Sequence, residues 1–350
     1  SLLIVAAAFY APTWTHGYAY EDESWIPLLA TWPEIGLPGR GLSIASHALI
    51  GLHPGADHLV NVALHLGSGA LVAGLASVIA GPAAAVGAAG VFLLHPLNSA
   101  AVNYLTARTD LLMTFWILLA AWLGVQRPTW WRYALLIGAL GCAAASKEIG
   151  AMGALLVALT ISRYGRWPTS SEMHGSPSFA AVLSVAAIAL GAGLGYLYPL
   201  FVNWMSAPAH VGGAAVSWGE YLILQNGQLW HLLALVAPSP LWLTGFSIDH
   251  DTLALSPAML MLALLSTLLC GCALVAAWRA HPLVAWSLAW VALTLGPRFV
   301  VRTSEFLTEP QMYLPMIGIS VLAGAGLAWL WARTGSTNVS DVQISPYARA

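Results

Sequence analysis

The chain has 350 residues, of which 59% are hydrophobic and only 7% charged, where a soluble domain carries about 25% charged residues. That composition excludes a water-soluble globular protein and places the chain in a membrane. Twelve Lys and Arg against fourteen Asp and Glu give a net charge of −2, which excludes the basic surface that nucleic-acid binding needs.

A transmembrane helix needs about 20 apolar residues, or fewer where neighbours shelter it. Ten apolar runs follow in chain order: residues 1 to 14, 58 to 80, 83 to 96, 109 to 125, 133 to 146, 148 to 163, 179 to 203, 257 to 278, 282 to 300 and 311 to 332. The first begins at Ser1 with no charged residue ahead of it, which does not support a cleaved signal peptide. Segment 221 to 239 is also apolar, but Gln225, Asn226, Gln228 and His231 fall on its first turns, and it is expected to lie in the membrane interface within an outer loop spanning 204 to 256. The expected fold is an all-α polytopic membrane protein of about 10 to 11 transmembrane helices. One domain spans residues 1 to 333, with a long first outer loop, and a polar tail follows at 334 to 350. No internal repeat of 20 to 50 residues is present. The 17 Trp and 33 Gly fit this class, since Trp anchors at the lipid interface and small residues let helices approach closely. Cys142, Cys270 and Cys272 lie inside apolar runs; no disulfide framework or zinc site follows, and they are expected to be buried.

Charge fixes an expected orientation. With both termini cytoplasmic and 164 to 178 as a cytoplasmic linker, Arg127, Arg132, Arg163, Arg166, Arg279, Arg333 and Arg349 fall inside, as the positive-inside rule requires. Twelve of the fourteen carboxylates, all but Glu172 and Asp341, then face the periplasm or lumen together with Arg40, Arg108, Lys147, Arg298 and Arg302.

The densest charge is Tyr20-Glu21-Asp22-Glu23-Ser24-Trp25. Adjacent carboxylates repel, so one member gains basicity or the group recruits a cation, which suits a general base or a divalent-metal site; a solvated acidic helix end is the plainer alternative. After a loop at 24 to 57 that contains Gly39-Arg40-Gly41, residues His58, Asn61 and His65 fall at i, i+3 and i+7. They share one helix face that must meet protein or a polar cavity rather than lipid, and interhelical hydrogen bonding is the expected role. His95-Pro96 opens a polar loop that reaches Tyr104, Arg108 and Asp110, the last two being candidates for a mutual ion pair. Lys147-Glu148 interrupts an apolar stretch, as either an ionisable pair at depth or a loop tip at the outer interface. Arg298, Arg302, Glu305 and Glu309 precede Tyr313-Leu-Pro315, and cations facing carboxylates in a low-dielectric cleft make a place to hold an anionic phosphate beside a base.

Taken in order, these motifs resemble the membrane O-mannosyltransferases that carry tetratricopeptide repeats, and their bacterial relatives, in the GT-C glycosyltransferase superfamily. The resemblance spans residues 20 to 315. Tyr20-Glu21-Asp22-Glu23 is similar to the family's tyrosine and paired acids, and Arg40 with Leu42-Ser43 to its "RPLS". His58-Leu-Val-Asn61 through His65 is similar to its "HLVNLLLH". His95-Pro96, Tyr104, Arg108 and Asp110-Leu-Leu resemble its "HPVHVEAVAWISGRKDLL", and Lys147-Glu148 its "AKE". Pro238 with Leu241 is similar to "PLNLS", and Glu309 with Tyr313-Leu-Pro315-Met-Ile-Gly318 to "ERYLYLPSIG".

The resemblance implies inverting transfer of a sugar from a polyprenyl-phosphate carrier to an acceptor hydroxyl on the outer face. Asp22 would be the base. Glu21 or Glu23 would orient the acceptor or hold a divalent ion, while Arg108, Lys147, Arg298 and Arg302 would neutralise the leaving phosphate; no soluble cofactor is needed. The chain departs from the family at Asn98 and Ala100, where it has His and Glu, at Pro310, where it has Arg, and in lacking the repeats. Those departures support a second reading, a GT-C-derived subunit that has lost catalysis and scaffolds a larger membrane complex. Histidines on helices could also ligate haem or chlorophyll, though no Cys-x-x-Cys-His occurs. A transporter is disfavoured, because ionisable groups concentrate at one face.

Overall fold

The computed structural model describes residues 2–18, 22, 23, 26, 40–51, 53–127, 129–165, 210, 211, 214–237, 256–300 and 306–334. Among these described residues twelve helices follow in chain order: α1 Leu2–Tyr10, α2 Gly41–Leu49, α3 Pro54–Ala80, α4 Pro82–Leu94, α5 Pro96–Asn103, α6 Arg108–Gly124, α7 Trp130–Ser146, α8 Gly153–Tyr164, α9 Trp218–Ala234, α10 Pro257–Ala280, α11 Pro282–Leu295 and α12 Met316–Arg333. A further single turn at Pro297–Val300, short 3-10 turns and a two-residue strand pair, His210–Val211 with Ala214–Ala215, complete the described elements.

Proline and histidine set many of the boundaries. Pro54, Pro82, Pro96 and Pro282 each open a helix, where the missing N–H is no loss and the fixed φ suits the first turn. Between α3 and α4 the chain reverses at Gly81, whose φ of 93° is a conformation that side-chain-bearing residues rarely adopt. The imidazoles of His53 and His95 cap α3 and α5 by accepting from the backbone N–H of Ala56 and Leu97.

Four helical segments are long and apolar enough to cross a membrane: Pro54–Ala80, Leu105–Gly124, Leu260–Ala280 and Met316–Arg333. A fifth results if α4 and α5, which meet at 55°, form one broken span. The protein is thus an all-α membrane protein. Of the ten apolar runs, all but 179 to 203 fall on helices, and that one lies outside the described residues.

The core is a helical bundle. α12 lies close against α4, because Gly324 faces the backbone of Ala84 and Ala88, and Gly87 faces Gly324 in return; small residues of this kind allow close approach where the hydrophobic effect cannot drive helices together. α11 contributes the buried indoles of Trp286 and Trp290. Their Nε1 groups donate to Thr160 Oγ1 at 3.1 Å and to the Leu314 carbonyl at 3.0 Å, as buried indoles require.

Several expectations are corrected. The loop expected at 24 to 57 contains α2, and the helix expected from 58 begins at Pro54, so Asp57 and His58 stand in its first turns. α9 begins at Trp218 on a capping box formed by Ser217 and Glu220. Gln225, Asn226 and Gln228 therefore sit at its middle, buried, rather than on its first turns. Cys270 and Cys272 are exposed on α10, not buried. The linker beyond Gly165, most of 204 to 256 and the tail after Thr334 lie outside the described residues.

Candidate functional site

The charged side chains collect where α3 and α6 begin and α7 ends. Arg108 opens α6 with 0% of its surface exposed, and a buried guanidinium is tolerated only when charge and donors are both matched. Its Nε donates to Asn61 Oδ1 at 2.8 Å, its Nη2 to the Asp57 carbonyl at 2.7 Å and to Asp57 Oδ1 at 2.8 Å, and its Nη1 to Ser46 Oγ at 3.4 Å. His47 of α2 donates from Nδ1 to the same Asp57 Oδ1 at 2.8 Å. Burial, opposed by that hydrogen bond, pushes His47 below the ordinary histidine range. The imidazole is therefore a neutral donor, and Asp57 balances Arg108 alone. Asn61 closes the knot by donating to the Val102 carbonyl at 3.2 Å.

Immediately before α6, a 3-10 turn at Leu105–Ala107 presents backbone N–H groups without helical partners. Asp22 supplies them from 83 residues away in sequence: its Oδ2 accepts from Leu105 at 3.0 Å and its Oδ1 from Thr106 at 2.8 Å. The carboxylate is buried by this docking, with 1% of its surface exposed.

A second charged group forms at the end of α7. Lys147 Nζ donates to Asp110 Oδ2 at 2.6 Å, and Arg40 Nε to Glu148 Oε1 at 2.9 Å. Burial pulls the Lys147 ammonium below the ordinary lysine range; Asp110 opposes that shift, and the positive charges of Arg298 and Arg40 reinforce it. Three cations and two carboxylates thus share this corner of the bundle.

Deeper between the helices, His65 Nε2 donates to the Leu93 carbonyl at 3.1 Å, which leaves Nδ1 to accept from the Tyr313 hydroxyl at 2.8 Å. Both side chains are buried. His95, besides capping α5, donates from Nε2 to the Val236 carbonyl at 3.0 Å. His58 is buried and stands edge-on to His16 at 6.1 Å. Glu309 starts a partly buried 3-10 turn, and Glu23 is exposed.

No family model, curated protein or solved structure matches the chain. Its chemistry therefore rests on the geometry above. Of the residues singled out in the sequence, Asn61 and Arg108, Asp110 and Lys147, Arg40 and Glu148, and His65 and Tyr313 are brought into contact. Arg108 and Asp110, two residues apart in sequence and open to mutual pairing, instead take the separate partners Asp57 and Lys147. Lys147 and Glu148 likewise bond outward to different partners. Glu21 and Arg302 lie outside the described residues.

Asp57, His47 and Ser46 were not singled out in the sequence. The available signal was the i, i+4 spacing of Asp57 and Asn61, which puts a carboxylate on the face that carries the amide. Arg108, expected at the phosphate, has its guanidinium committed within the protein. Among the described residues no group of three or more His, Cys, Asp or Glu is placed to hold a metal ion. Of the acid run 21 to 23, Asp22 directs both oxygens to backbone donors.

Proposed function

We propose that the chain is a GT-C-type polytopic membrane enzyme that transfers a sugar, with inversion, from a polyprenyl-phosphate carrier to an acceptor hydroxyl at the outer face. In this reading the bundle has 10 to 11 spanning helices, both termini are cytoplasmic, and the lipid bilayer delivers the donor. The observation that carries it is a carboxylate and an ammonium fastened to one short segment. Asp22 is bonded at Leu105 and Thr106, and Lys147 at Asp110. The two anchor points are roughly 6–8 Å apart along the helix axis.

As base, Asp22 takes the acceptor proton while the acceptor oxygen attacks the anomeric carbon. The bond from that carbon to the carrier phosphate breaks, and the phosphate leaves with the electron pair. Lys147, Arg298, Arg40 and Arg302 supply the positive charge that stabilises the leaving group. Glu21 or Glu23 orients the acceptor or shares a divalent ion. Arg108 acts at one remove, holding the start of α6 against α3.

A second reading, a GT-C-derived subunit that scaffolds other membrane subunits, is favoured by the same Asp22 contacts. Two backbone donors stabilise the ionised carboxylate and weaken it as a base, and Ala100 and Pro310 remove a carboxylate and an arginine from the resembled pattern.

Transfer from a polyprenyl-phosphate mannose or glucose donor in membranes carrying Asp22→Asn separates the two. The enzyme reading expects transfer to be abolished beyond any loss of folded protein; the amide NH2 opposes one of the two backbone N–H groups that the carboxylate accepts from, so the unfolding midpoint is read beside transfer. Unchanged transfer sinks the base assignment. Stoichiometric co-purification with other subunits, with no carrier lipid retained, supports the scaffold.

A further inference from the structure

The end of the bundle away from Asp22 and Lys147 is built differently. Arg127 lies between α6 and α7, Arg132 in the first turn of α7, Arg163 and Arg279 in the last turns of α8 and α10, and Arg333 ends α12. These helix ends coincide in space: Arg163 Nη1 donates to the Trp278 carbonyl of α10 at 3.1 Å, and α10 passes directly into α11 at His281. Trp290, towards the far end of α11, bonds Leu314 just before α12 starts, so α12 returns to finish beside the beginning of α11.

Among the described residues no Asp or Glu stands at this end, so no described carboxylate pairs with these arginines. Three lie instead on tryptophan rings. The guanidinium carbon is 5.0 Å from the Trp131 ring for Arg132, 4.0 Å from Trp278 for Arg163, and 3.9 Å from Trp329 for Arg333. All three rings are exposed. Indoles of this kind settle at the depth of lipid headgroups. Arg132 and Arg163 each give one Nη1 donor to a backbone carbonyl, of Arg127 at 2.7 Å and of Trp278 at 3.1 Å, and stacking leaves the remaining in-plane N–H groups to meet an oxyanion.

We propose that this end is a docking surface for anionic phospholipid headgroups of the surrounding bilayer, with the ring-stacked arginines bonding the lipid phosphate. Charge complementarity selects the occupant: five permanent cations with no described acid beside them match a negatively charged leaflet, and stacking on Trp fixes the forks at headgroup depth. A zwitterionic headgroup offers the same phosphate without the net charge. Because the surface lies at the far end from the proposed glycosyl-transfer site, its test is independent of that activity.

The experiment adds phosphatidylglycerol or phosphatidylcholine to the intact protein in detergent micelles, and reads retained lipid by native mass spectrometry and the unfolding midpoint by thermal shift. Phosphatidylglycerol is expected to be retained preferentially and to raise the midpoint, with an effect that weakens as salt increases. The triple variant Arg132→Gln, Arg163→Gln, Arg333→Gln is expected to lose about fivefold in lipid affinity per arginine, while the corresponding Lys variant keeps most of it. If the triple variant does not fold, Arg333→Gln alone, at an exposed position, carries the test with about a fivefold loss. Equal retention of phosphatidylcholine overturns the proposal. So does a midpoint shift reproduced by inorganic phosphate, or phosphatidylglycerol binding that the variants leave intact.

Discussion

Arginine is used in opposite ways at the two ends of this bundle. At one end Arg108 has no exposed surface and is surrounded by a carboxylate, an amide, a backbone carbonyl and a hydroxyl. At the other, Arg333 is exposed and rests on an exposed indole. A buried cation must bring its counter-charge with it, since desolvation exceeds any weakly placed attraction; an interfacial cation keeps water and needs only a surface to lie on. The difference shows which end is rigid: the Asp57 knot joins α2, α3 and α6, whereas each Arg–Trp pair is local to one or two helix ends.

The sharpest way to break that comparison is to remove the counter-charge. Asp57→Ala strands Arg108 in the interior and is expected to destabilise the protein by about 3–5 kcal/mol, read as lowered expression and a lower unfolding midpoint in detergent. Adding Arg108→Met removes the stranded charge and is expected to restore a large part of the loss. If the double variant is as unstable as the single, the knot is not held by charge matching.

The two ends also differ in how far the sequence reveals them. Apolar runs locate the helices because a bilayer demands long uninterrupted hydrophobic segments, and the runs at 58 to 80, 109 to 125 and 311 to 332 each fall on a helix long and apolar enough to span. Motif spacing picks out Asn61, Arg108, Asp110 and Lys147 as chemistry-bearing. Pairing is not legible there, because Arg108 and Asp110 stand two residues apart yet point to different helices. α2 was hidden inside a Pro- and Gly-rich loop. Its residues His47 and Ser46 gain their roles only through contacts made across the fold, and Asp57 shows only as the i, i+4 partner of Asn61. Asp22 stands out as one of three clustered acids, but its place at the N–H groups of Leu105 and Thr106 comes from a contact across 83 residues.

A milder perturbation of the rigid end uses pH. His47 is held neutral with a folded-state pKa below that of an ordinary histidine, chiefly by burial. The unfolded chain therefore binds a proton that the folded one refuses. Stability from this group is fully present above the unfolded pKa of about 6.5 and falls as pH drops below it. Unfolding midpoints measured between neutral and mildly acidic pH are expected to decline, and His47→Gln, which keeps a donor but cannot titrate, should flatten that decline. A slope unchanged by the substitution would assign the pH dependence to other groups.

The smallest effect belongs to the opposite end. Trp329→Leu removes the ring beneath Arg333 while keeping an apolar side chain of the kind α12 presents to lipid. Exposed cation–π contacts contribute about 0.5–1 kcal/mol, so the unfolding midpoint in detergent should fall only slightly. In a bilayer the loss should be harder still to detect, because the guanidinium can exchange the ring for a headgroup phosphate. A drop as large as that of Asp57→Ala would mean that Arg333 is as firmly built into the fold as Arg108, and that the contrast between the two ends is one of position and not of energy.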